Sequence, residues 1–212
     1  MKEKRVFFNC ADIELEGAMT PAEGNSTAHS VVVCHPHPQY GGNMDNNVVM
    51  VISQILSQNG FTVLRFNFRG VGGSKGASGN GTEEKKDVKA ALDFLDGVDQ
   101  TKDNDILVVG YSFGAMVGLP VAVKEDRVKG WVGISPPIAT YDFDFLKECN
   151  KPKLLVYGDS DFVCPGEQAN ELFNSLKGTK SMIVVPDADH FWWGKEETIA
   201  GHIKDFLITL SS

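Results

Sequence analysis

Gly110-Tyr111-Ser112-Phe113-Gly114 is the stretch in which the architecture of this 212-residue chain is most legible. An apolar run, Ile106-Leu107-Val108-Val109, precedes it. A small-residue stretch able to be helical, Ala115-Met116-Val117-Gly118-Leu119, follows. Strand, sharp turn and helix form the context that turns the loose pattern G-x-S-x-G into a nucleophile elbow. Such a turn is strained, and side chains two residues either side of the serine would collide with neighbouring backbone. Glycine removes the Cβ and admits unusual dihedrals. The spacing predicts that the Ser112 hydroxyl projects above a sheet, within reach of a base.

The flanking sequence supports a sheet of that kind. Val6-Phe7-Phe8 and Ile13 to Met19 read as strands, and a polar turn from Glu23 to Ala28 separates them from Val31-Val32-Val33-Cys34. That last run is apolar on successive residues, as in a strand buried on both faces. Helix and strand then alternate. The predicted helices are Val48 to Leu56, Thr82 to Leu95, the stretch after Ser112, Glu167 to Leu176 and Glu196 to Leu210. The predicted strands are Thr62 to Phe68, Ile106 to Val109, Val128 to Ile134, Leu154 to Tyr157 and Met182 to Val185. The pattern predicts an α/β fold with a mainly parallel central sheet, an antiparallel N-terminal edge and helices on both faces. With no internal repeat or linker, residues 1–212 read as a single domain.

Composition excludes several classes. Hydrophobic residues make up 42 % of the chain, which argues against disorder. A net charge of −8 without a basic cluster disfavours nucleic-acid binding. The four cysteines, Cys10, Cys34, Cys149 and Cys164, form no C-x-x-C pair and suit a reducing compartment. The basic start, Met1-Lys2-Glu3-Lys4-Arg5, is followed by too short an apolar run for a signal peptide, and no run has membrane-spanning length. A cytoplasmic location follows, in which the sequons at Asn25 and Asn80 carry little meaning. Gly70-Val71-Gly72-Gly73-Ser74-Lys75-Gly76 has the look of a phosphate-binding loop but fails both nucleotide-loop spacings, and polar loop follows it.

A serine nucleophile needs a base, and the base needs an orienting carboxylate. Asp161 lies just beyond the predicted strand ending at Tyr157. His190 lies just beyond the one ending at Val185. Ser, then acid, then His at the C-terminal ends of successive strands is the hydrolase order. Asp159 is a rival acid, and Asp187 and Asp189 crowd His190. Position favours Asp161. The loop His35-Pro36-His37-Pro38-Gln39-Tyr40-Gly41-Gly42 follows another strand. An oxyanion needs backbone N–H donors; one is expected from Phe113 and a second from this loop. Pro36 and Pro38 have none to give, which leaves His37, with Gln39 and Tyr40 as rivals. His35 and His37 lack a third metal ligand, so neither a metal nor a cofactor is called for.

The motifs His35-Pro36-His37-Pro38, Arg65-Phe66-Asn67-Phe68-Arg69-Gly70, Gly110 to Gly114, Gly158-Asp159-Ser160-Asp161 and Asp189-His190-Phe191 give the chain a resemblance to the α/β-hydrolase superfamily over nearly its whole length. It looks closest to small, lidless bacterial hydrolases related to dienelactone hydrolase and carboxylesterases. The resemblance implies Ser112 as nucleophile, His190 as base and Asp161 as acid. Dienelactone hydrolases proper carry a cysteine nucleophile, so serine at 112 favours ester chemistry. Only Ser135 to Lys153 connects two strands where relatives insert a cap. An open site acting on small or short-acyl esters is therefore expected, with a small-molecule ester as partner. Trp192 and Trp193 are candidate walls for that substrate, or packing for the last helix. Phe113, Tyr40 and Pro136-Pro137 are further lining candidates, and Cys164 reads as a small apolar filler. A thioesterase or peptidase using the same triad stays open, as does a non-catalytic hydrolase-fold binder. Oligomeric state is not legible.

Overall fold

A computed structural model describes residues 3–24 and 28–210. Met1 and Lys2 of the basic start, and the sequon at Asn25, lie outside the described residues. The elements run β1 (Lys4–Cys10), β2 (Ile13–Thr20), β3 (His29–Cys34), α1 (Asn47–Gln58), β4 (Thr62–Phe66), α2 (Glu84–Gly97), β5 (Asp105–Tyr111), α3 (Phe113–Ala122), β6 (Val128–Ile134), β7 (Lys153–Gly158), α4 (Gly166–Ser175), β8 (Lys180–Val185) and α5 (Glu196–Thr209).

The strands form one sheet in the order β1-β2-β4-β3-β5-β6-β7-β8. β2 is antiparallel to both β1 and β4, and every other neighbouring pair is parallel. The sheet is thus mainly parallel with an antiparallel N-terminal edge. Alternation along the central strands sorts side chains between two cores. Val32, Cys34, Ile106 and Val108 pack on the face covered by α2 and α3. Val31, Val33, Leu107 and Val109 pack with Val48, Ile52 and Leu56 of α1 and Ile199, Ile203 and Leu207 of α5. A strand covered on both faces has no polar side, which explains the unbroken apolar runs.

Several boundaries depart from expectation by a residue or two, and at β4 and α2 the local reason is visible. β4 stops at Phe66 rather than Phe68. The Phe68 N–H donates to His35 Nε2 at 3.1 Å, and so is withdrawn from the sheet. α2 begins at Glu84 rather than Thr82, because the Glu84 carboxylate accepts the N–H groups of Gly79 and Gly81, both at 2.8 Å, and holds the preceding loop. The glycine-rich stretch after β4 is likewise internally tied. The Gly73 N–H donates to Glu16 at 2.7 Å, and Ser74 Oγ donates to the Asn67 carbonyl at 2.7 Å. The amides of Gly73 and Lys75 are taken by β2, and those of Gly70, Val71 and Ser74 by the stretch itself and Phe68.

Between β6 and β7 the chain carries one short 3₁₀ turn, Asp144–Leu146, and no cap domain. Among the described residues, no helix is long and apolar enough to cross a membrane.

Candidate active site

β5 sits between β3 and β6 and ends at Tyr111, so Ser112 emerges at the C-terminal edge of the sheet's centre. Its N–H donates to the Ile134 carbonyl at 2.9 Å, which ties the turn to the end of β6. Ser112 carries φ +53°, a left-handed conformation that L-residues rarely adopt. Both flanking glycines are required by contact. A Cβ on Gly114 would lie 2.1 Å from the Cys34 carbonyl oxygen, and one on Gly110 would lie 2.6 Å from Ala115 Cα.

Ser112 Oγ lies 2.9 Å from His190 Nε2. His190 Nδ1 lies 3.0 and 3.1 Å from the two Asp161 carboxylate oxygens. A carboxylate only accepts, so Nδ1 carries the proton and Nε2 is left to accept from the serine. Asp161 Oδ1 also accepts the Val163 N–H at 2.9 Å and the Cys164 N–H at 3.0 Å. Burial raises the Asp161 carboxyl, but hydrogen bonds from His190 and Ser135, the His190 charge and the Cys164 N–H outweigh it. The group is held below its ordinary value.

The rival acids are committed elsewhere. Asp159 Oδ1 accepts the Asp187 N–H at 2.9 Å, and Asp189 Oδ1 accepts the N–H groups of Phe191 and Trp192 at 2.9 and 3.1 Å. Both carboxylates shape the loop that presents His190. In the loop after β3, the Gln39 N–H donates to His37 Nδ1 at 3.2 Å and the Tyr40 N–H to the His37 carbonyl at 3.0 Å. The two rival donors are therefore engaged. Phe113 opens α3, where the first N–H groups have no intrahelical acceptor. The His37 and Phe113 rings meet edge to face with centroids 4.7 Å apart.

A cavity of about 660 Å³ opens over Ser112 and His190. Its wall is built by Tyr40, Met116, Pro137, Tyr141, Phe162 and Phe191, and no Asp, Glu, Lys or Arg lines it among the described residues. Tyr40 stands at the mouth, 84 % exposed.

The two tryptophans correct the expectation that both could line this site. Trp192 is fully buried in the core beneath α5, and its indole N–H donates to Ser135 Oγ at 3.0 Å. Trp193 is 72 % exposed and lies off the cavity. Phe191, one residue nearer the histidine, supplies the wall instead. Pro137 lines the cavity and Pro136 does not. Cys164 is buried beside Tyr157 and Ala169, and burial together with the Asp161 charge pushes its thiol pKa up, which suits a filler.

Sequence reasoning missed Ser135 and Tyr111 as supports. The Tyr111 hydroxyl donates to the His190 carbonyl at 2.6 Å, and burial with the charges of Asp161 and Asp189 raises its pKa. A tyrosine inside the elbow was visible in the sequence, whereas nothing marked Ser135. Tyr141 and Phe162 were missed as lining residues because they sit in irregular segments without periodicity.

Comparison with known proteins places this arrangement. Residues 30–147 match the family model described as alpha/beta hydrolase fold. The chain is 38 % identical to an uncharacterised protein of Rickettsia prowazekii, over 98 % of this chain and 90 % of that one. An alpha-beta serine hydrolase homologue from Coxiella burnetii superposes with TM-score 0.89 at 32 % identity, covering 97 % of each chain. An α/β serine hydrolase without a lid, from Xanthomonas campestris, superposes with TM-score 0.89 at 26 % identity, over 99 % of this chain and 95 % of that one. The chain belongs to the α/β-hydrolase fold family, and its neighbours include a serine hydrolase homologue and a serine hydrolase without a lid. A particular kinship with dienelactone hydrolase is not shown by these relatives.

Proposed function

We propose that the protein is a serine hydrolase of small carboxylic esters, with Ser112 as nucleophile, His190 as general base and Asp161 as the orienting acid. The observation that carries this reading is the line of hydrogen bonds from Ser112 Oγ to His190 Nε2 at 2.9 Å and from His190 Nδ1 to Asp161 at 3.0 Å. His190 takes the Ser112 proton as Oγ bonds to the ester carbonyl carbon. The oxyanion sits between the N–H groups of Phe113 and His37. When the intermediate collapses, the alcohol leaves with the proton from His190 and the acyl group stays on Oγ. A water then gives its proton to His190 as it attacks the acyl carbon, and the acid departs as Ser112 regains its hydrogen.

The cavity supports a small, uncharged substrate. Its volume falls in the range that accepts small organic ligands, and its wall offers no counter-ion for a charged acyl group. With no cap domain to close over a long chain, short acyl groups fit best. The buried free thiols of all four cysteines support a reducing compartment for the reaction.

The test is hydrolysis of p-nitrophenyl esters of increasing acyl length, with wild type beside Ser112→Ala. We expect turnover highest at short chains and a loss on the order of 10⁴- to 10⁶-fold in kcat for the variant, since the triad acts as a unit. Full turnover by Ser112→Ala would end this reading. Activity that rises steadily toward long-chain triglyceride emulsions would end the short-acyl part alone.

A further inference from the structure

The wall of the cavity over Ser112 is aromatic where an apolar wall could as well be aliphatic. Tyr40, Phe113, Tyr141, Phe162 and Phe191 line it, and Leu and Ile are absent from it among the described residues. Two of these rings are chain neighbours of the triad. Phe162 follows Asp161, and Phe191 follows His190. Both lie against the imidazole, with centroids 6.2 Å away for Phe162 and 5.8 Å away for Phe191. Among the described residues, neither ring has a further aromatic contact, and none joins the two to each other.

Both rings are left in water. Phe162 is 70 % exposed, the most of any phenylalanine among the described residues, and Phe191 is 48 % exposed. The backbone beneath them is nonetheless fixed. The Asp161 N–H donates to the Gly158 carbonyl at 3.1 Å and the Val163 N–H donates to Asp161 Oδ1 at 2.9 Å, so Phe162 is pinned on both sides. The Phe191 N–H itself donates to Asp189 Oδ1 at 2.9 Å. A single apolar side chain at the surface needs no explanation. Two beside one reacting group, on anchored backbone, make a preformed apolar surface at the place where a substrate must sit.

The type of side chain narrows what that surface recognises. Any apolar wall rewards burial of apolar area, saturated or not. A phenyl ring also carries a quadrupole, with a negative face and a positive edge, and a second aromatic ring answers it in offset-stacked or edge-to-face contact. A cavity of about 660 Å³ has room for one such ring together with its ester group.

We infer that the substrate ester carries an aromatic ring, and that this ring packs against Phe162 and Phe191 beside His190. This deepens the serine-hydrolase reading and rests on it. The bond broken is still the acyl–oxygen bond, with water as the second reactant. The ring adds recognition, and Phe162 and Phe191 determine the specificity.

The experiment compares two matched pairs of esters on the full chain. Benzyl acetate is set beside cyclohexylmethyl acetate, and ethyl phenylacetate beside ethyl cyclohexylacetate. Within each pair only the aromaticity of the ring changes. Each kcat/KM is divided by the ester's own rate with hydroxide, which removes its inherent reactivity. We expect the aryl ester to lead by about fivefold in at least one pair, the scale of an aromatic contact beyond area burial. The pair that shows the lead tells whether the ring belongs to the alcohol or to the acid. In Phe162→Leu, which keeps an apolar side chain at an exposed position, that lead should shrink to within about twofold. Ratios near one in both pairs, or a lead that Phe162→Leu leaves intact, would overturn the inference.

The wild-type ratios stand by themselves should the variant fail to fold. A fluorophosphonate separates the two readings. Wild type that labels at Ser112 yet shows no aryl lead breaks this inference alone. Wild type that neither labels nor turns over any of the esters breaks the serine-hydrolase reading, and the aryl preference with it.

Discussion

The loops after β3 and β8 line the same cavity and each carries a buried histidine, yet they commit it in opposite ways. His35 spends both ring nitrogens on backbone. Nδ1 donates to the Pro36 carbonyl at 2.7 Å, and Nε2 accepts the Phe68 N–H at 3.1 Å. Burial pushes its pKa down to about 4, against a rise from the Pro36 hydrogen bond and with a further lowering from His37. His190 spends its nitrogens on two side chains, Ser112 and Asp161, one of which can react and the other of which carries charge. A histidine locked between backbone groups is a strut that holds one tautomer. A histidine between a hydroxyl and a carboxylate is placed where it can carry a proton. Burial alone does not distinguish them, and partner chemistry does.

The sharpest break of that contrast would be a His190 substitution that leaves turnover intact. We expect His190→Gln to lower kcat about 10⁴-fold or more, with the denaturant midpoint at pH 7 close to wild type. Equal losses of rate and of stability would mean that His190, too, is a strut.

His35 should show the reverse, a stability effect that depends on pH. Its folded pKa is depressed to about 4 from the ordinary histidine value of 6.5, so the unfolded chain binds the proton more readily. The contribution is present above about pH 6.5 and is lost as pH falls toward 4. Between pH 7 and pH 5 the loss amounts to about 2 kcal/mol, each tenfold difference in proton affinity being worth about 1.4 kcal/mol. Urea unfolding at the two pH values should show that loss in wild type. In His35→Asn, the drop between the same two pH values should be smaller by about that amount, from a lower baseline because the Phe68 N–H loses its acceptor. Identical pH slopes in the two proteins would remove His35 from the role of a neutral strut.

Much of this was legible in the amino-acid sequence, and the manner of its legibility differs between regions. The sheet could be read because strands buried on both faces must be apolar on every residue, as in Val31-Val32-Val33-Cys34 and Ile106 to Val109. The order Ser112, Asp161, His190 could be read because each lies shortly after the C-terminal end of a strand. The cavity wall could be read only in part, at Tyr40, Phe113 and Pro137, and not at Tyr141, Phe162 or Phe191. Adjacent aromatics carry no periodicity in a loop, and the turn at Trp192 that sends its indole inward depends on a positive φ that no residue type announced. Ser135 was invisible for a related reason. A serine at a strand end is unremarkable as sequence, and only the buried indole facing it gives it a task.

The smallest expected effects test the three consecutive aromatics after His190. Asp189 caps the N–H groups of Phe191 and Trp192, and Trp192 turns at φ +62°, so neighbouring side chains leave in different directions. Phe191 goes to the cavity, Trp192 to the core and Trp193 to solvent. Phe191→Ala removes apolar wall common to ground and transition states. We expect KM for a bulky ester such as the benzoate to rise about fivefold with kcat held, the pattern of lost uniform binding. Trp193→Ala, one peptide further from the histidine than Trp192, should leave kcat/KM within about twofold for every ester in the series. A Trp193 effect as large as that of Phe191 would mean that the loop after β8 turns its third aromatic over the substrate when the site is occupied, and that the mouth closes further than the free protein's geometry requires.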